Sequence, residues 1–476
     1  MSKNQIQPKI DPTILVIFGA SGELASERLI PALFHLFDHR LLPKNFTVIG
    51  FSRRQFSDEA FRKRVKVEHK NWPRFAKQVF YHPGNFTSTE DFQALAQRLH
   101  DIEKRGHSCA NRLFYFATLP THYASISEDL KKSGLLIGCQ IHKRKVRVLL
   151  EKPFGLDLQS AQKLDGTLGK YFQEEQIYRI DHYLGKETVQ NIFATRFANG
   201  IFEPLWDREY VDQVQISVLE DVGVNERGSY FEQVGTIRDM VQSHLLQLLA
   251  LVAMDVPTGL SAEEIRAQRA RLIGSIRQPS KTDLQKYLVI GQYQGYREEP
   301  NVASASRVET FAATRLFIDN PRWQDVPFYL RTGQRLTKKS TSISLHFKPL
   351  VSRLFGTKHP LNKLIFQIQP NEGIYLELQV KYPGFGVRLH PVRLALGYDA
   401  FMAPEIPDAH ERLLLDFMQG DQRLFASSDE IEAAWKYIDV LKKYSSGKKP
   451  IEYEPEGAGP KQAEKLIQKD GRQWLN

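Results

Sequence analysis

The stretch TILVIFGASGELA, Thr13 to Ala25, decides the fold. Its first six residues are apolar or β-branched with no polar alternation, so they predict a strand buried on both faces, as in a parallel sheet. The run ends in Gly19-Ala20-Ser21-Gly22, and a helix-like segment, ELASERLIPALFHLF, follows. Small residues at 19, 22 and 25 give the spacing GxxGxxA rather than the commoner GxGxxG. Gly19 permits a tight turn, Gly22 lets the backbone approach a pyrophosphate, and Ala25 lets helix and strand pack closely, with the helix N-terminus aimed at the anion. An ordinary strand–turn–helix is the alternative on these residues alone. The position between a buried strand and a helix favours a nucleotide loop, with Gly19, Ala20, Ser21, Gly22, Glu23 and Leu24 as cofactor contacts.

Working outward, FTVIGF (Phe46–Phe51), VFYH (Val79–His82), LFYFA (Leu113–Ala117), VRVLL (Val146–Leu150) and QIYRI (Gln176–Ile180) read as further strands. Charged, helix-like segments such as Thr87–Arg105 and Thr121–Gly134 separate them. Strands alternating with helices predict a doubly wound parallel sheet. After about residue 200 the pattern changes. VDQVQISVL (Val211–Leu219) alternates polar and apolar, a long amphipathic helix is expected over Tyr230–Met254, and SISLHF, KLIFQIQ and IYLELQV alternate again. These predict an antiparallel sheet covered on one face by helices. The expected organisation is an α/β Rossmann-type dinucleotide-binding domain over residues 1–200 and a large α+β domain with a mainly antiparallel sheet over residues 201–476. The segment from Ser445 reads as extended before a final short helix.

The chain has 476 residues, 42% hydrophobic and 25% charged, which suits a soluble globular protein of more than one core. Cys109 and Cys139 are its only cysteines, so no disulfide framework is expected and a reducing, cytoplasmic compartment is. The N-terminus is polar, and no apolar window is long enough to span a membrane. The net charge of +10 suits an anionic small substrate as well as nucleic acid. The basic runs His142–Arg147 and Lys442–Lys449 lack interleaved aromatics at a binding spacing and read as solvated surface, so no nucleic-acid partner is expected. No residues have metal-ligand spacing: His35 and His39 lie i, i+4 without a matching third ligand.

Four segments carry candidate chemistry. At the end of the second strand stands Ser52-Arg53-Arg54, where sites preferring NAD carry an acid. Arginine attracts a 2′-phosphate, so Arg53, supported by Arg54, predicts NADP; surface arginines are the alternative. Lys152, in EKPFG, lies at the carboxyl end of the fifth strand, where open α/β sheets bind ligands; an ordinary loop lysine is the alternative. RIDHYLGKE (Arg179–Glu187) ends the sixth strand on the same edge. If a helix begins near His182, then His182 and Lys186 share a face as two cationic donors for a phosphate monoester, with Asp181 turned elsewhere; a satisfied core histidine and a surface lysine are the alternative. His244 precedes the apolar run LLQLLALVAM. It reads either as a structural histidine or as a base held in one tautomer by a carboxylate.

FGASGELA, GFSRR, EKPFG, RIDHYLGKE, IRDMVQSHLLQ, RTGQRL, FAATRLFIDNPRW and the closing DGRQW occur in an order and spacing that resemble the glucose-6-phosphate dehydrogenase family over nearly the whole chain. The resemblance implies oxidation of the C1 hydroxyl of glucose 6-phosphate with NADP as hydride acceptor, and a homodimer or dimer of dimers whose interface is the antiparallel sheet. It implies His244 as general base and Asp181 as its partner, His182 and Lys186 as phosphate ligands, and Lys152 as a contact to substrate and cofactor. It further implies Glu220, Asp239 and Lys339 as substrate-binding residues. A dehydrogenase of another hexose phosphate or of free glucose, and a catalytically silent sensor, are the alternatives. Three positions depart from the family pattern: Glu23 for Asp, Ser26 for Lys or Arg, and Gln334 for Lys. The last predicts weaker sugar-phosphate binding, or compensation by Arg335 or Lys338.

Overall fold

In the computed structural model, which describes residues 10–138, 144–349, 361–397 and 406–475, the run Thr13–Phe18 is strand β1, buried along its whole length. Its neighbours are β2 (Phe46–Ser52), β3 (Val79–Pro83), β4 (Asn111–Phe116), β5 (Val146–Leu150) and β6 (Ile177–Arg179). They form a six-stranded sheet in the order β3-β2-β1-β4-β5-β6, parallel throughout. The order reverses between β1 and β4, and the crevice at their carboxyl ends is where such sheets bind nucleotides. Helices α1 (Ile30–Asp38), α2 (Thr89–Arg105), α3 (Tyr123–Lys132), α4 (Leu158–Leu168) and α5 (Glu187–Phe197) follow successive strands.

The second sheet has nine strands: β7 (Val211–Leu219), β8 (Leu288–Tyr293), β9 (Phe311–Leu316), β10 (Phe328–Gly333), β11 (Ser340–Phe347), β12 (Lys363–Gln369), β13 (Gly373–Lys381), β14 (Leu389–Gly397) and β15 (Ile451–Tyr453). Their order is β14-β13-β12-β11-β7-β10-β9-β8-β15. The pairs β7–β10 and β8–β15 are parallel and the others antiparallel, so the segment after Ser445 supplies an edge strand before its helix at Lys461–Gln468. Helix α6 (Ala409–Gln419) returns to the first sheet, where Leu413, Leu414 and Phe417 pack in one cluster with Leu15, Ile17 and Tyr178. Helix α7 (Ser428–Ser445) lies between the two halves and puts Trp435 and Ile438 into the cluster that joins them.

Three expectations are corrected. The single helix over Tyr230–Met254 is instead an α-helix (Gly228–Thr236) that breaks at Gly235, a π-helix over Ile237–Leu245, and an α-helix over Leu246–Ala253. Cys109 is disulfide-bonded rather than free, and Cys139 lies outside the described residues. The basic runs are not simply solvated. Arg147 donates to the Phe417 and Met418 carbonyls at the end of α6, and Lys442 reaches a buried carboxylate; His142 and Lys143 lie outside the described residues. No helix of the described residues is long and apolar enough to cross a membrane.

Candidate active site

The Gly loop is built as its spacing requires. Gly19 has φ +88°, and a Cβ there would lie 2.2 Å from the Ala117 carbonyl oxygen at the end of β4, so no side chain fits. The Gly22 amide closes the turn on the Gly19 carbonyl at 3.0 Å. Ala20 is buried, Gly22 and Glu23 are exposed, and Ser21 and Leu24 are half-buried. Ser26 is turned back onto the loop, its hydroxyl donating to the Gly22 and Glu23 carbonyls. The Ser21 and Ser52 hydroxyls meet at 2.8 Å, joining the loop to the end of β2. Arg53 and Arg54 are exposed there, with the Arg53 guanidinium 5.9 Å from the Phe86 ring. On the other side Arg64, which sequence reading missed, donates to the Ser21 carbonyl at 3.3 Å and lies over Phe56.

Residues far apart in sequence converge beyond β5 and β6. The Lys152 ammonium donates to the Asp239 carbonyl (3.0 Å), to the Asp239 carboxylate (2.9 Å) and to His244 Nε2 (2.9 Å). Since an ammonium only donates, Nε2 is the unprotonated nitrogen. His244 Nδ1 therefore carries the hydrogen, which it gives to Asp181 Oδ1 at 2.7 Å. Both partners are buried. The amide of Tyr183 donates to the same Asp181 oxygen, while Asp181 Oδ2 is buried without a protein partner. Burial pushes the Asp181 carboxyl up, but the pull of His244 and its hydrogen bond, with His182 and Lys152 nearby, together hold the group down at about 2. Burial pushes His244 below the ordinary histidine value against the opposing pull of Asp181, so the imidazole is neutral. Asp239 is buried too, which acts to raise it, yet the Lys152 and Arg227 charges keep it well below the usual carboxylate range.

The π-helix explains how Asp239 and His244 meet one lysine. Five positions along an α-helix turn through about 140°, placing such residues on different faces, whereas an i→i+5 turn stacks them.

The pair His182 and Lys186 is not helical. Residues 182–186 form turns, and α5 starts at Glu187 with Lys186 at its N-cap. The His182 ring lies 4.6 Å from that of His244. Burial, and then the neighbouring His244, push His182 well below the ordinary histidine value, which works against the second cation expected there. Lys186 donates to Gln369 on β12 at 2.9 Å, and burial lowers its pKa. Lys339 and Glu220 stand just beyond the paired ends of β11 and β7 and pair at 3.1 Å. They make no hydrogen bond to the His244 cluster but act electrostatically on Lys186. Arg335 is directed at Tyr293 and Glu299, and Lys338 lines a cavity of about 530 Å³ with Arg331 and Arg393. Gln334 is buried, its carbonyl accepting from Tyr453. Asp181, His182 and His244 also bring their ligand atoms within 4.8 Å of one another, a grouping of metal-ligating residue types that spacing did not suggest. In it His244 has one nitrogen on Asp181 and the other on Lys152, an arrangement suited to moving a proton.

A family model described as glucose-6-phosphate dehydrogenase, NAD binding domain, matches residues 16–191, and one described as glucose-6-phosphate dehydrogenase, C-terminal domain, matches residues 193–475. The chain belongs to the glucose-6-phosphate dehydrogenase family. It is 42% identical to the glucose-6-phosphate 1-dehydrogenase of Chlamydia pneumoniae over 97% of this chain and 96% of that one. It is 38% identical to the Bacillus subtilis enzyme over 100% of each. A solved glucose-6-phosphate dehydrogenase in complex with its substrate glucose-6-phosphate superposes with a TM-score of 0.91 at 32% identity, covering 98% of this chain and 99% of that one. The Mycobacterium avium enzyme gives 0.84 at 32% identity, with 98% and 99% covered. In this glucose-6-phosphate dehydrogenase family member, sequence reading also missed Gln369, the acceptor of Lys186, and His410, which adds to the field at His182. Neither has a local signal, because each reaches the site from a distant strand or helix.

Proposed function

We propose that the chain is a glucose-6-phosphate dehydrogenase that oxidises the C1 hydroxyl of glucose 6-phosphate to the lactone, with NADP as acceptor. The observation that carries the reading is His244: Nδ1 tied to a buried carboxylate and Nε2 turned, unprotonated, toward Lys152. A substrate hydroxyl that takes the place of the lysine on Nε2 meets a neutral base of fixed tautomer. As the C1–O double bond forms, the hydroxyl proton passes to Nε2 and the C1 hydrogen leaves with its electron pair. The Asp181 carboxylate, still ionised, stabilises the imidazolium. Lys186 and His182 anchor the phosphate, so binding energy remote from C1 holds the reacting carbon in place. Asp239, Glu220 and Lys339 offer partners for the sugar hydroxyls, and Lys152 bridges sugar and cofactor.

NADP, when bound, supplies the hydride acceptor. The residues fit it: no side chain can occupy Gly19, the Gly loop adjoins the end of β2 through Ser21 and Ser52, and Arg53 and Arg54 lie there where an acid would select NAD. We take residues 1–200 as the cofactor domain, and residues 201–476 as the substrate domain and the dimer surface.

The test mixes purified protein with glucose 6-phosphate and NADP, then NAD, and follows reduced nicotinamide by absorbance, with galactose 6-phosphate and glucose as comparators. Rapid reduction with glucose 6-phosphate alone is expected. His244→Asn should lower kcat by about 10²–10⁴-fold with substrate binding nearly intact. Arg53→Asp should raise the KM for NADP far more than that for NAD. Equal changes would refute the NADP assignment, and reduction of neither dinucleotide would refute the activity.

A further inference from the structure

The convergence of Asp239 and His244 on Lys152 requires the π register from Ile237 to Leu245, so whatever anchors that register bears on the reaction. The preceding helix breaks at Gly235 (φ +65°), where a Cβ would lie 2.8 Å from the Glu309 carboxylate. Two amides at the start of the π segment then go to Glu309. Thr236 donates to its carbonyl at 3.0 Å, and Ile237 to its carboxylate at 3.3 Å. A negative group at a helix N-terminus is favourable. Glu309 is only 4% exposed, and the Lys442 ammonium meets both its carboxylate oxygens, at 2.9 and 3.2 Å.

Lys442 belongs to α7, and the same stripe of that helix holds the other side of the site. Trp435 Nε1 donates to the Phe154 carbonyl, in the EKPFG loop that carries Lys152, at 3.0 Å. Asp439 accepts from the Leu158 amide at the start of α4, also at 3.0 Å. Positions 435, 439 and 442 follow one another at i, i+4 and i+7, on one face of the helix. One rigid rod thus grips both the loop that presents Lys152 and the helix that presents Asp239 and His244. A buried ion pair is a weak source of stability compared with apolar packing, and its best-attested use is to fix register.

We propose that Glu309 and Lys442 are a positioning pair for the dehydrogenase reaction, fixing the π register through α7 so that Asp239 and His244 face Lys152 together. The inference rests on the function proposed above. Neither residue touches the cleft, so neither is a catalytic residue.

The test compares Lys442→Met, Lys442→Arg and Glu309→Gln with the wild type, at a temperature where thermal melts show each variant folded. Lys442→Met should lower kcat by about 10–100-fold, the range expected of small misplacements of reacting groups. It should raise the KM for glucose 6-phosphate by a smaller factor, because the displaced segment carries Asp239 but the proposed phosphate ligands His182 and Lys186 stand on another element. Lys442→Arg should restore most of the rate, and Glu309→Gln should resemble Lys442→Met. Amide hydrogen exchange, which needs no substrate, should show protection lost over Ile237–Leu245 in Lys442→Met and retained elsewhere. A kcat within twofold of wild type, or unchanged protection over that segment, overturns the proposal. If Glu309→Gln fails to fold, Lys442→Met and its exchange pattern decide. An inactive wild type would refute the proposed function, while the exchange result would still judge the pair.

Discussion

His244 has two neighbours that leave it no choice of tautomer, Lys152 on one nitrogen and Asp181 on the other. Spacing could not reveal this, since the partners are 92 and 63 positions away and the π turn defeats a helical periodicity of 3.6. Sequence patterns left His244 open between a structural and a catalytic reading, and only the motif resemblance separated them. The proposed phosphate ligands were more legible, because His182 and Lys186 sit in one short turn, but the charge of His182 was not, because it depends on burial. These surroundings set a pH dependence. Burial pushes His244 below the ordinary histidine value, so the neutral base persists into mildly acid solution. kcat/KM should therefore fall only as pH drops through that lowered value, below about 6.5. The substrate phosphate itself titrates near pH 6, so the direct check is NMR of isotope-labelled histidine, with His244→Asn to assign the signal. A midpoint at or above the ordinary value would contradict the burial argument.

Among the elements, the strands and helices of the first half were legible from apolar runs, because a strand buried on both faces has no other way to read. What could not be read is which helix packs beside RIDHYLGKE, since α6 arrives from more than two hundred residues later. Gly185 shows how closely α6 approaches that turn. A Cβ at Gly185 would lie 2.7 Å from the Ala409 carbonyl and 2.9 Å from Leu413, so the glycine lets α6 seat against the turn. Gly185→Ala should then destabilise the protein by about 1–3 kcal/mol, the usual cost of overpacking. It should also raise the KM for glucose 6-phosphate more than it lowers kcat, because the displaced turn carries His182 and Lys186. Gly166→Ala is the control: nothing lies within 4 Å of its added methyl on α4, so stability should hold or rise slightly. Denaturant melts and initial rates measure both, and equal behaviour of the two variants would show that the α6 contact does not matter.

For the molecule as a whole, the alternation in IYLELQV announced a strand with one face to cover, and the described residues of one chain cover it only in part, packing Ile374 and Leu376 against the core. On β13 and β14 the cross-strand pairs Ile374–Leu396, Leu376–Leu394 and Leu378–Val392 lie opposite one another in register. Leu394 and Leu396 are 55% and 48% exposed. An apolar face at the edge of a nine-stranded sheet invites association, and the commonest solution for a soluble chain is a two-fold pairing of the same patch. We therefore expect a homodimer through β13 and β14, on a surface distinct from the His244 cleft. Light scattering after size exclusion should give the wild type twice the mass of the chain at micromolar concentration. A charge on the facing pair, Leu376→Asp with Leu394→Asp, should yield monomers, and stability that no longer rises with protein concentration. Because Asp181, Lys152 and Asp239 hold the His244 cluster together from within one chain, such monomers, where folded, should keep the KM for glucose 6-phosphate within a few fold. A wild type that is monomeric at those concentrations would leave the exposed stripe without a second copy to cover it, and would refute the dimer.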